Sequence, residues 1–355
     1  EKVESYDVGL DWGAFNNRLT GSFDYYVRNT KDMVGPAPEL PALLGTDVPK
    51  TNNTDLRTTG WELQIGWRDH LENGLNYGVT FNVSDAQAKV TRYPNNPTGS
   101  LSSYIENRKV GEIWGYETIG IAKTNDEMNQ HLATLPNGGQ SQLGDKWAAG
   151  DIMYKDLDGD GKISNGSNTL ADHGDLKVIG NKTPRYLFGL DLTASWKGFD
   201  FRAFMQGVMK RDYSDAKEFL FGTTDSGVWW AAGITGVQDY FRDSETWSVK
   251  NGYESENLNA YLPRPQYSGK NIQPQTRYLL NAAYLRMKNL QIGYTLPQSL
   301  VSKAGLGNVR FFVSAENLFT ITDLPSQFDP ETIDTDYGNG YPLSRTFSFG
   351  VNVTL

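Results

Sequence analysis

The sequence predicts an all-β chain whose antiparallel strands form part of a transmembrane barrel wall, and three observations predict it. First, about nine segments alternate apolar and polar residues with the period of two that a strand imposes on its side chains. Second, the connections between these segments alternate between short and long. Third, the polar phase carries charge consistently, through Asp7, Asp11, Asp24, Arg28, Glu62, Arg68, Asp191, Arg202 and Glu316. A barrel wall meets lipid with its apolar phase and a lumen with its polar phase, and its turns are short on one side and its loops long on the other. A soluble sandwich gives no reason for such sorting.

The segments run in order. Tyr6, Val8, Leu10 and Trp12 alternate with Asp7, Gly9 and Asp11. Leu19, Gly21, Phe23, Tyr25 and Val27 follow, then Trp61, Leu63, Ile65 and Trp67, then Leu75, Tyr77, Val79, Phe81 and Val83. Tyr186, Phe188, Leu190, Leu192, Ala194 and Trp196 form the next. Noisier alternation covers 199–209, 284–296 and 309–319. The last segment, 344–355, sets Phe347, Phe349, Val351, Val353 and Leu355 against Ser348, Gly350 and Asn352. Each is expected to be roughly ten residues long, the reach a tilted membrane strand needs. Trp61 and Trp67 share the apolar phase, roughly 20 Å apart along the strand, as aromatic girdles require.

Short connections are expected near 13–17, 69–74, 197–199 and 297–308, and long ones near 30–57, 95–184, 210–283 and 321–343. Residues 1–355 thus read as one barrel segment with four outward loops. The run Ile113–Ile121 also resembles a strand, but one more wall strand there would invert every later turn. It is assigned to the long loop, as a hairpin arm or an extension above the membrane. Residues 298–304 are expected to form a helical turn or two.

Composition narrows the chemistry. Hydrophobic residues are only 38%, and no run of about 18 apolar residues is present, so there is no membrane-spanning helix. Barrel strands average out as polar, so this leaves a barrel open. The 19 Tyr, 9 Trp and 37 Gly suit girdles and tight turns. A net charge of −9 argues against nucleic acid as a partner. Without cysteine there are no disulfides, thiolate metal sites or thiol catalysis. His70, His131 and His173 lack metal-ligand spacing, and no hydrolase, zinc-protease or nucleotide-binding motif occurs, so no catalytic residue is assigned.

The sharpest motif is Asp156-Leu157-Asp158-Gly159-Asp160-Gly161-Lys162-Ile163. It matches the start of an EF-hand-type loop, with carboxylates at positions 1, 3 and 5, Gly at 6 and a backbone carbonyl at 7. Closely spaced carboxylates repel unless a hard cation neutralises them, and Ca²⁺ takes such all-oxygen coordination. Position 12 is Ser167 rather than Glu, so a closing carboxylate is expected from Asp175 or Asp172. The alternative is an acidic turn that binds no ion. A structural clip in a long loop is the expected role.

Aromatic residues in the long loops are the candidates for substrate or lid contact: Trp114, Tyr116, Trp229 and Trp230, with Tyr240, Phe241 and Trp247 also in loops. Exposed rings stack on sugars or pack on partner proteins. The competing reading is that they build the loops' own small cores.

Several segments, in order, resemble the SusC-like TonB-dependent outer-membrane transporters. They are Ser5–Asp11, Leu19–Tyr26, Thr59–Glu62, the 156–163 loop, Ile179–Tyr186, Gly198–Asp200, Tyr284–Leu290, Ala315–Phe319 and Tyr341–Thr346. The resemblance implies a plugged, 22-stranded barrel in a Bacteroidota-type outer membrane. It implies a SusD-like surface lipoprotein as lid, import of oligosaccharides or peptides, and energy supplied through TonB. It also places the closing Ca²⁺ ligand on Asp175. Two departures are an insertion, Ser164 to Gly174, before that ligand, and a terminal Leu355 where such barrels commonly end in Phe. About nine strands cannot close the barrel, so this chain is expected to be the C-terminal portion of a protein more than twice as long, with the plug and earlier strands outside it. The competing function classes are a small outer-membrane barrel protease or lipase, and a soluble β-sandwich carbohydrate-binding module.

Overall fold

The computed structural model describes residues 1–36, 50–214, 238–266, 268–334, 341 and 343–355. In chain order the strands are β1 (Lys2–Ala14), β2 (Leu19–Gly35), β3 (Thr51–His70), β4 (Asn76–Arg92), β5 (Glu112–Gly115), β6 (Thr118–Ile121), β7 (Ile152–Tyr154) and β8 (Lys177–Asn181). Then come β9 (Arg185–Trp196), β10 (Phe199–Lys210), β11 (Asp212–Tyr213), β12 (Leu280–Asn281), β13 (Tyr284–Thr295), β14 (Asn308–Glu316), β15 (Thr320–Thr322) and β16 (Thr346–Thr354). Nine of them form one antiparallel wall in the order β1-β2-β3-β4-β9-β10-β13-β14-β16, and β15 continues beside β13. The wall is an open sheet, with β1 and β16 as its edges. In lipid, unpaired backbone at such edges is not viable without further strands.

Register explains how the alternation becomes a membrane surface. Residues directly opposite across antiparallel strands share a face. One row runs across all nine strands as Ala14, Leu19, Trp67, Val79, Leu192, Ala203, Leu290, Ala315 and Phe347. A second runs Tyr77, Ala194, Phe201, Ile292, Val313 and Phe349. Neither contains a charge. On the opposite face one row runs Gly13, Thr20, Gly66, Thr80, Asp191, Phe204, Asn289, Glu316 and Thr346. One face of the wall is therefore a continuous apolar belt, and the other is small, polar and charged.

Ion pairs tie strands on the polar face. Arg202 Nη2 meets Asp191 at 2.7 Å. Arg310 bridges to Asp200, with Nε at 2.9 Å and Nη2 at 2.5 Å, across the intervening Gly293 of β13. A Cβ on Gly293 would push both side chains of that pair aside, so glycine lets the pair close over β13.

Aromatic rings border the belt. At the short-turn end, Trp67 Nε1 donates to the Tyr77 hydroxyl at 3.3 Å, Phe15 packs on Trp67 at 6.0 Å, and Phe199 on Tyr294 at 4.5 Å. At the other end Trp61 packs on Tyr186 at 6.4 Å. Tyr77 to Asp85 on β4 is about 26 Å along the strand, or about 20 Å along the normal at a tilt near 40°.

Three strands run far beyond the expected ten or so residues: β2 has 17, β3 has 20 and β4 has 17. Their upper parts pair with one another above the belt, where the β-branched Thr51, Thr54, Thr58 and Thr59 suit an extended backbone. Regular pairing thus continues into residues expected to lie in the loop 30–57. The Ile113–Ile121 run lies outside the wall. It breaks at Tyr116–Glu117 into β5 and β6, which pair with β8 and β7 respectively. Residues 298–304 form one short helix, Gln298–Val301, and a 3₁₀ turn, Ser302–Ala304.

Candidate metal centre and the loop unit that holds it

The long connections fold on each other. One core contains Tyr116, Ile152, Tyr154, Ile163 and Leu176 from the β4–β9 connection, Tyr213, Leu262, Tyr278 and Leu280 from the β10–β13 connection, and Leu324, Phe328 and Ile333 from the β14–β16 connection. Residues distant in sequence thereby exclude water together, which gives a cap of loops a fixed shape.

A buried polar network locks two of these connections. Lys270 and Asp151, both fully buried, meet at 2.8 Å. Lys270 Nζ also donates to the Asp145 and Lys146 carbonyls at 3.0 Å each and lies 4.7 Å from the Trp147 ring centre. Asp151 accepts further bonds from Gln266 at 2.6 Å, Asn271 at 2.9 Å and the Ala148 N–H at 2.9 Å. Every lone pair is served, which is the condition under which a buried charge pair is tolerated.

The acidic loop sits on this cap, anchored by Ile163, which is fully buried. Gly159 (φ 77°) and Gly161 (φ 79°) supply the left-handed turns that a side chain resists. Asp156 accepts the Gly159 N–H at 2.6 Å and the Gly161 N–H at 2.9 Å, so the loop curls around its first carboxylate. Carboxylate oxygens of Asp156, Asp158 and Asp175 lie within 4.8 Å of one another. Asp175 is fully buried and accepts N–H groups from Leu157 at 2.6 Å and Ser164 at 2.8 Å. Burial raises its pKa above the ordinary carboxylate value, those two N–H donors oppose the rise, and Asp158 and Asp156 add to it.

Asp160 lies outside the trio. Its carboxylate takes the Lys162 N–H at 3.1 Å and the Lys162 Nζ at 3.3 Å. Asp172 is also apart, bound to the Ser167 N–H at 2.9 Å and hydroxyl at 2.5 Å within the insertion. The insertion does not displace Asp175. It leaves at Ser164, pairs with the 99–102 segment through the Leu101 N–H to the Asn168 carbonyl at 3.0 Å and the Leu170 N–H to the Gly99 carbonyl at 2.8 Å, and returns beside its starting point.

Of the loop aromatics, Tyr116 is buried in the shared core, 5.3 Å from the Tyr154 ring. Its phenol is pushed up to about 12, first by burial and then by Asp175. Trp114 is half-buried, with His173 at 5.4 Å and the Arg108 guanidinium at 5.4 Å. It lines a cavity of about 400 Å³ with Tyr93, Tyr104, Arg108 and Lys182. Phe241 is fully buried, Tyr240 half-buried and Trp247 exposed. Trp229 and Trp230 lie outside the described residues. His70 bonds Asn76, His131 bonds Gln140, and His173 packs on Trp114, so the histidines stay apart.

Comparison with known proteins follows the same lines. No family model matches the chain. TonB-dependent receptor P3 of Formosa agariphila is 30% identical over 99% of this chain and 34% of its own length. TonB-dependent receptor SusC of Bacteroides thetaiotaomicron is 23% identical over 99% of this chain and 32% of its own. Among solved structures, that of the RagAB peptide transporter superposes with a TM-score of 0.68 at 24% identity, over 99% of this chain and 35% of that one. The chain thus spans about a third of the length of the relatives it matches. By sequence along nearly its whole length and by fold, the chain is related to the SusC-like TonB-dependent receptors and forms part of a bacterial outer-membrane barrel wall.

Proposed function

We propose that this chain supplies part of the wall and the packed outward loops of an active nutrient importer. In this reading it works with a SusD-like surface lipoprotein that lids the pore, and TonB supplies the energy. The observation that carries the proposal is the reach of the similarity: it covers wall and loops alike, over 99% of the chain, in proteins named as TonB-dependent receptors. The role is transport, and no catalytic residue is assigned. The cargo is an oligosaccharide or a peptide. Trp114 lines the exposed cavity and is a candidate to touch cargo or lid, with Trp229 and Trp230 as further candidates. Deleting the full-length gene and comparing growth on oligosaccharides and on peptides as sole nutrient tests the reading. Loss of growth on one class supports it, and unimpaired growth and uptake on both would refute it. Purifying the full-length protein from its native membrane tests the lid, which should co-purify as a lipoprotein.

We further infer that Asp156, Asp158 and Asp175 hold a structural Ca²⁺, joined by Asp160 or the Lys162 carbonyl. The donor set supports this: three carboxylates converge, all donors are oxygen, and neither His nor Cys joins them. Bound there, Ca²⁺ would neutralise the loop and clip residue 156 to residue 175. Its binding by the full-length protein is measurable by terbium luminescence.

A further inference from the structure

Above the aromatic girdle, the apolar phase of the wall turns cationic. Register is unbroken from Trp61 to Arg57 on β3 and from Asp85 to Lys89 on β4, so Arg57 and Lys89 stay on the lipid-side face. Lys89 lies directly opposite Arg57 on one side and Lys109 on the other. Three cations therefore stand side by side across three adjacent chain segments, and all three are exposed.

The Lys89–Lys109 contact is the closer kind of antiparallel pair. The bonds flanking it are Val90 N–H to the Arg108 carbonyl at 3.0 Å and Val110 N–H to the Ala88 carbonyl at 2.9 Å. That pattern leaves Lys89 and Lys109 as a non-hydrogen-bonded pair, with Cα atoms about 4.5 Å apart. Like charges so placed repel. The carboxylates around the row are engaged elsewhere: Glu4 with Lys31 at 2.7 Å, Asp55 and Asp32 with Arg92 at 3.1 and 2.9 Å, and Glu112 with Arg108 at 2.8 Å. Arg57 bonds only the neutral Asn29 amide, at 2.8 Å. Among the described residues, nothing anionic compensates Lys89 or Lys109.

Height identifies the counter-charge. Arg57 lies four residues beyond Trp61, about 13 Å along the strand and about 10 Å along the membrane normal. Girdle aromatics mark the edge of the hydrocarbon, so the row stands where lipid headgroups begin, within reach of flexible Lys and Arg stems. The face is continuous with the apolar belt below it, a surface on which an acyl chain could lie under the same cations.

We propose that Arg57, Lys89 and Lys109 form a binding site for the phosphate of an anionic outer-leaflet lipid whose acyl chains lie on the belt beneath. The site rests on the membrane embedding of the wall and not on what is imported, so it can fail while import stands. The test is native mass spectrometry of the full-length protein with bis-phosphorylated lipid A, its dephosphorylated form and inorganic phosphate as probes. Phosphorylated lipid A should be retained over the dephosphorylated form, and Lys89→Gln should weaken it about fivefold, with a further similar loss in Lys89→Gln/Lys109→Gln. Lys89→Arg/Lys109→Arg should restore it, and Lys197→Gln at the opposite rim should leave it unchanged. Equal retention of both lipids, indifference to the double variant, or full displacement by millimolar inorganic phosphate would overturn the site. Uptake by the same variants, measured in parallel, is expected to persist.

Discussion

Ser164 and Asp175 hold each other across the neck of the 165–174 excursion. The Ser164 N–H donates to Asp175 Oδ2 at 2.8 Å, and the Asp175 N–H donates to the Ser164 carbonyl at 2.8 Å. The insertion therefore loops out without moving its two ends apart. Gly174 makes the closure possible: its φ is 50°, and a Cβ there would collide with the Ser164 carbonyl oxygen. Gly174→Ala should cost the neck about 1–3 kcal/mol. Limited proteolysis of the full-length protein should then cut within 165–174 faster, while the wall stays resistant.

The same neck sets the metal prediction. Asp158→Ala and Asp175→Asn should each lower terbium and Ca²⁺ affinity by at least about tenfold. Asp160→Ala should do less, because that carboxylate is turned to Lys162. Acidity should follow the raised pKa of Asp175. Without cation, the folded state holds the Asp175 proton more tightly than the unfolded chain does. Stability should therefore fall as pH rises from the ordinary value of 3.8 through the raised one. With Ca²⁺ bound the ionised form is favoured, so the trend should reverse and acid should release the ion. A pH series of local unfolding with and without Ca²⁺ reads both signs.

Tyr116 supplies an alkaline counterpart. Its phenol is raised from 10.0 to about 12 by burial, so between those values the folded cap holds a proton that the unfolded chain has lost. Stability of the cap should decline as pH rises through that window. Tyr116→Phe keeps the ring beside Tyr154 and should make the decline shallower, while Tyr154 and Tyr278, also raised by burial in the same core, sustain the rest, with tyrosinate absorbance reporting the missing group.

The wall was legible in sequence because a strand writes its environment in every second residue. The row from Ala14 to Phe347 needs no information beyond that period and the turns. The cap was not legible, because Tyr116, Tyr278 and Phe328 meet from three connections with no shared period. The Lys270–Asp151 pair was invisible for the same reason, its partners lying 119 residues apart. The cationic row could have been found by carrying the alternation past Trp61 to Arg57 and past Val83 to Lys89. A phase break hid one element: Tyr186, at φ 53°, shifts Arg185 so that it meets Asp85 with two contacts of 2.5 Å. At the metal loop, sequence spacing named Asp156, Asp158 and Asp175, but could not show that Asp160 turns to its own lysine.

Leu192 and Thr193 offer a direct test of which face meets lipid. Leu192 lies in the charge-free row, and Thr193 is opposite Arg202 on the polar face. Leu192→Arg in the full-length protein should destabilise the inserted wall by about 2–4 kcal/mol if near the midplane. Thr193→Gln should change it little. The measurement is folded protein recovered in detergent or lipid across a denaturant series, and equal effects would reverse the assignment of faces.

Lys270→Met separates the cap from the wall. It leaves Asp151 buried and charged, with its amide donors but with only the more distant Arg264 guanidinium, at 3.7 Å, as cation. Breaking one side of such a pair costs about 3–5 kcal/mol. The loss should appear locally, at amides that tie the β10–β13 connection to the β4–β9 connection. The Ile152 N–H, held by Asn271 at 3.0 Å, and the Arg264 N–H, held by the Gly150 carbonyl at 2.9 Å, are the reporters. Their hydrogen exchange should speed up by at least about a hundredfold, while wall amides such as those pairing β9 with β10 stay protected. Uniform acceleration of cap and wall would mean that the loops and the wall open as one unit. Removing both charges, in Lys270→Met/Asp151→Asn, should recover part of the protection, because a neutral Asn can be desolvated at far lower cost than an unpaired carboxylate.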